Sequence, residues 1–61
     1  MSLSELLYRL RVAFETTEAI DVWLNTKNPY LGHETPKSLL AGREHDRIAR
    51  ALEAQLGGVY T

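Results

Sequence analysis

The sequence contains no cysteine. Disulfides and thiolate metal sites are therefore excluded, and with them the usual staples of a very short domain. The absence also suits a reducing compartment, and a cytoplasmic location is the expectation. Proline and glycine are scarce, at two and four residues, and they stand only as punctuation. Pro29, Gly32 and Pro36 bracket one central loop, Gly42 marks a break, and Gly57 and Gly58 precede the tail. No apolar run approaches the roughly 20 residues that a membrane span needs. The start of the chain carries Glu5 and lacks a basic segment followed by an apolar block, so it does not read as a signal peptide. Neither sign of charge dominates: Lys plus Arg is 7 and Asp plus Glu is 8, for a net charge of −1. A dedicated nucleic-acid module is usually basic, so this balance argues against one. A near-neutral chain also self-associates more readily.

What is present is a 61-residue chain that is 44% apolar, too apolar for disorder and long enough for one domain. A core of this size supplies only about 3–5 kcal/mol of net stability without help. With disulfides excluded, a partner is the remaining staple. Apolar spacing predicts a first helix over Leu3–Phe14, with Leu3, Leu6, Leu7, Leu10 and Phe14 on one face. Ser2 is placed to cap it, and Glu5 to complete a capping box. Thr16 or Thr17 caps a second helix, whose stripe is Ile20, Trp23 and Leu24 and which ends around Asn25–Pro29. A loop follows over Lys27–Glu34. Thr35 and Pro36 restart a short helix that stops at Gly42. A last helix runs from about Arg43 to Leu56, with Ile48, Ala51, Leu52 and Leu56 inward and Gly57 as its cap. The fold class is all-α, a small bundle of four helices with the third short.

Catalytic chemistry finds little footing. His33–Glu34 and Glu44–His45–Asp46 are the only clusters with histidine, and consecutive helical residues diverge by about 200° over three positions. They read as solvated positions, and no metal or cofactor is expected. Ser2, Ser4 and Ser38 lie in or beside helix starts, where hydroxyls usually cap. A chain this short also has little room for a pocket of about 300 Å3 or more. It is read as a binding protein, not an enzyme.

Two features point to partners. Arg43, Arg47 and Arg50 recur at helical spacing. They form either a site for an acidic partner or a solvated face trimmed by Asp46–Arg50 and Arg50–Glu53 pairs. As a DNA-reading helix the stripe is weaker, because no Asn or Gln stands beside its N-terminal end. The tail Gly57-Gly58-Val59-Tyr60-Thr61 is apolar and aromatic where termini are usually polar. It either folds back on the core or enters a partner's pocket. Trp23 reads as core, with an indole N–H that needs a partner if buried.

From Ala19 onward the residues run Ala19, Trp23-Leu24, Asn28, Leu31-Gly32, Thr35-Pro36, Leu39-Leu40, Ile48, Leu52 and Gly58-Val59-Tyr60. This ordered set, over roughly 43 residues, resembles the C-terminal toxin-binding domain of the Xre/MbcA/ParS antitoxin family. Differences are His33 where the family has a second glycine, Gln55 where it has isoleucine, and Gly57 where it has histidine. The segment between Leu40 and Ile48 is shorter than usual. The resemblance implies a single toxin-binding domain over residues 1–61, without the helix-turn-helix domain many members carry, so that DNA is bound weakly or indirectly. It implies neutralisation of a RES-type toxin that consumes NAD or transfers ADP-ribose from it. Gly58, Val59, Tyr60 and Thr61 would plug the NAD pocket, and Arg47 and Arg50 would face acidic toxin groups. The rival readings are a self-associating adaptor, with Leu3, Leu7, Leu10 and Phe14 as the seam of a homo-oligomer, and a small DNA-binding regulator.

Overall fold

Short-range capping sets most of the helix starts. In a computed structural model of the chain, which describes residues 1–56, Ser2 Oγ accepts from the Glu5 backbone N–H at 3.2 Å and opens α1 (Leu3–Ala13). The Glu5 carboxylate accepts from Arg9 at 3.3 Å instead of closing the capping box. Phe14 is extended at the end of α1, so the helix stops one residue short of the sequence reading. Thr16 Oγ1 accepts from Ala19 N–H at 3.1 Å and opens α2 (Thr17–Asn25). Thr35 and Pro36 begin α3 (Pro36–Ala41) as the sequence indicates. The last helix, α4, spans His45–Leu56. There are four helices with the third short, and no strand among the described residues; Asn28 and Glu34 form an isolated bridge.

The end of α3 departs from the sequence reading. Gly42 keeps a negative φ of −86°, and the left-handed residue is Arg43 at φ 57°. Arg43 N–H donates to Leu40 O at 3.0 Å and Glu44 N–H to Leu39 O at 2.9 Å. These two bonds are the Schellman pair that satisfies the carbonyls at a helix end. Arg43 is thereby a turn residue, and α4 starts two residues later than expected.

The core draws on every element. Leu6 and Leu10 come from α1, Trp23 from α2, Leu39 from α3, and Ile48, Ala49, Ala51 and Leu52 from α4. Leu31 joins them from a 3-10 turn over Pro29–Leu31. α4 packs on α1, α3 and the 3-10 turn, and α2 packs on α1 and α3. Phe14 and Trp23 lie with ring centroids 6.0 Å apart, a favourable tilted pairing. The Trp23 indole donates to Gln55 Oε1 at 2.8 Å, so Gln55 supplies the partner the indole needs.

The five apolar residues of α1 do not all face inward. Leu6 and Leu10, one turn apart, are fully buried, Phe14 is half-buried, and Leu3 and Leu7 on the flank remain 48% and 43% exposed. Leu10→Ala is expected to cost about 2–5 kcal/mol, which matches the entire stability of a domain this size, whereas Leu7→Ala should cost under about 1 kcal/mol. Urea denaturation followed by circular dichroism checks this; equal losses would contradict the orientation of α1. Arg43→Gly should stabilise the fold by about 0.5–1 kcal/mol, the relief of left-handed strain less the added freedom of the unfolded chain. A fall in the urea midpoint would show that the Arg43 side chain holds the fold.

A candidate partner-binding face on the last helix

Residues 47, 50, 51 and 54 recur along α4 at helical spacing. Ala51 lies at the buried edge, and Arg47, Arg50 and Ala54 are exposed. Together with Tyr30 and Leu31 they line an open hollow of about 290 Å3. Its base is apolar, from Leu31 and Ala51, and its rim carries two guanidiniums and a phenol ring. Arg43, in the turn before α4, does not line it.

The two arginines differ in their partners. Arg47 donates to Glu44 at 3.0 Å across an exposed i, i+3 pair. The trimming pairs considered for Arg50 do not form, because both acids are engaged elsewhere. Asp46 takes the Met1 ammonium at 3.1 Å. Glu53 takes Arg9 at 2.8 Å, a bond that ties α1 to α4. Arg50 has no ion pair or side-chain hydrogen bond among the described residues. It is a cation on an exposed face.

Tyr30 falls within the Lys27–Glu34 loop of the sequence reading, and the structure sets it between two hollows. It borders the arginine hollow and also a second one of about 250 Å3, lined by Trp23, Thr26, Lys27, Pro29 and Gln55 among others. Asn28 fixes the turn that carries it. Its buried side chain accepts from Tyr30 N–H at 2.9 Å. Its carbonyl accepts from Leu31 N–H at 2.9 Å and His33 N–H at 3.0 Å, and its own N–H donates to Glu34 O at 3.0 Å. Gly32 and His33 are both left-handed, at φ 64° and 67°. Glycine adopts this conformation without steric cost, and His33 adopts it despite its Cβ. An aromatic flanked by Pro29 and Gly32 was the available signal for a presented side chain.

The remaining sequence candidates are dispersed. Among the described residues no group of three or more His, Cys, Asp or Glu could hold a metal ion. His45 Nδ1 lies 3.2 Å from the Met1 carbonyl oxygen, and Ser2 and Ser38 engage backbone groups at helix starts. The proposed seam of Leu3, Leu7, Leu10 and Phe14 does not form one exposed stripe, since Leu10 is spent on the chain's own core and Phe14 packs against Trp23. Leu3 and Leu7 stay available, and Tyr8 and Val12 are exposed on the same helix. Gly58, Val59, Tyr60 and Thr61 lie outside the described residues. Among the described residues no helix is long and apolar enough to cross a membrane.

Comparison with known proteins gives one family. The family model described as the antitoxin Xre/MbcA/ParS C-terminal toxin-binding domain matches residues 5–58. No curated protein and no solved structure matches the chain.

Because Arg50 is exposed and makes no ion pair or side-chain hydrogen bond among the described residues, Arg50→Gln should change stability by less than about 0.5 kcal/mol. Thermal melts of the two proteins check this, and a clear loss in the variant would assign Arg50 a structural role.

Proposed function

Since the chain belongs to the Xre/MbcA/ParS antitoxin family, as its C-terminal toxin-binding domain, we propose that the toxin it binds is of the RES type. The domain's role is to bind a cognate toxin, and that role is not enzymatic. In our reading the toxin consumes NAD or transfers ADP-ribose from it, and the domain inhibits it by sterically occluding the NAD pocket. Gly58, Val59, Tyr60 and Thr61 act as the plug, and Arg47 and Arg50 engage acidic groups on the toxin. Arg43 is the weakest of the three arginines for this task, because it serves the turn before α4.

The observation that carries the reading is Arg50 on α4, which has no ion pair among the described residues and sits on the helix that leads in sequence directly to residues 57–61. An exposed cation and an apolar tail next in the chain suit one continuous contact. Occlusion needs shape and affinity alone, which agrees with a site built from arginine, tyrosine and small residues.

A second reading, homo-oligomerisation, is favoured by the exposed Leu3, Leu7, Tyr8 and Val12 of α1. The two are compatible, because α1 and the arginine face of α4 are different surfaces.

The test is NAD consumption by a purified RES-type toxin from the same source, with and without this chain. Equimolar inhibition is expected, and deletion of residues 59–61 should abolish it while helicity and any α1-mediated oligomer persist. Full inhibition by the truncated chain would overturn the plug.

A further inference from the structure

We infer that the toxin-facing surface is centred on Tyr30, and that the hollow between Tyr30 and Arg50 receives a carboxylate side chain of the toxin. The inference rests on the reading above for the identity of the partner and adds the turn before α3 to its contact surface.

Three observations converge on it. The first is preorganisation. Asn28 is buried, and its backbone and side-chain bonds close the turn around Pro29–Leu31. The backbone beneath Tyr30 therefore needs little ordering on association, which removes part of the entropic cost of binding. The second is position. Tyr30 is 57% exposed and borders both hollows, so a partner seated on this face meets its ring near the middle. Tyrosine and arginine are the side chains most often found to dominate interface energetics.

The third is charge. Among the described residues no acidic side chain lines the hollow, and both guanidiniums on its rim belong to α4. Arg50 has no ion pair among the described residues, and Arg47 holds Glu44 through one exposed bond that solvent competes for. A carboxylate entering here gains charge-assisted donors without displacing a buried pair. The base of Leu31 and Ala51 suits the methylenes that carry a glutamate or aspartate head. A nucleic acid would meet the same arginines, but a chain of net charge −1 opposes a polyanion.

The experiment has two arms on the full chain. In the first, nuclear magnetic resonance follows the Tyr30 ring and the arginine Nε–H groups at low salt during titration with hexaglutamate, hexaglutamine or a short DNA duplex. Shifts at Tyr30 and Arg50 with hexaglutamate alone, lost in Arg50→Gln, are expected. No shift there, or an equal response to the duplex, would overturn the carboxylate assignment. In the second arm, binding to the purified RES-type toxin is measured. Tyr30→Ala and Arg50→Gln should each weaken it by about 10-fold or more, and Arg11→Gln on α1 by no more than about 2-fold. Unchanged affinity in both site variants would overturn the surface. If the unmodified chain fails to bind that toxin, the RES assignment fails by itself, and the hexaglutamate arm still decides the hollow.

Discussion

The turn around Asn28 is the constraint on which the proposed binding face depends. Asn28 is the buried polar residue of the described chain, and burying an amide without partners would cost more than a domain this small can absorb. Its bonds to Tyr30, Leu31, His33 and Glu34 convert that liability into a closed loop. Leu31 is thereby delivered to the core while Tyr30, its neighbour, is delivered to the surface. Loss of the Asn28 side-chain amide would free the Tyr30 N–H and leave the backbone bonds to Leu31, His33 and Glu34 to hold the turn.

Around this turn the molecule is economical. With no cysteine to cross-link it, the chain relies on one small shared core in which α4 touches α1, α3 and the turn. Polar ties lie at its edges: Arg9 to Glu53 between α1 and α4, and the Trp23 indole to Gln55 between α2 and α4. Exposed ion pairs contribute little each. The apolar contacts therefore carry the stability, and toxin binding adds to it by mass action, because only the folded chain presents the surface.

The local parts of this fold were legible in the sequence. Ser2, Thr16 and Thr35 cap through bonds three residues long, and such bonds follow from neighbouring residues alone. The inward role of Trp23, Ile48 and Leu52 followed from helical spacing. Spacing could not divide the leucines of α1, because Leu3, Leu6, Leu7 and Leu10 span an arc wider than one neighbour covers, and only packing selects Leu6 and Leu10. Arg43 was placed on the last helix because Gly42 marked the break, yet the hydrogen bonds from Arg43 and Glu44 back to α3 put Arg43 in the turn, in the left-handed conformation. The site was legible as chemistry and less so as geometry. Arg47 and Arg50 were visible as a stripe, but whether acids neutralise them depended on Arg9 and Met1, which are remote in sequence. Tyr30 was overlooked because an aromatic in a loop gives no sign of its support until the Asn28 bonds are seen.

The interleaving of α4 has an evolutionary corollary. Positions 48, 49, 51 and 52 are committed to the interior, while 47, 50 and 54 look outward from the same two turns. In the proposed reading, a change at the outward set would alter which surface chemistry the domain recognises and leave its folding largely untouched. Partner choice would then be a lightly coupled trait, free to drift with a changing toxin while the scaffold stays constant. The boundary between the two sets passes through Ala51, which is buried and yet lines the hollow. At that residue, as at Leu31 across the base of the hollow, a larger side chain would alter the scaffold and the proposed recognition surface together.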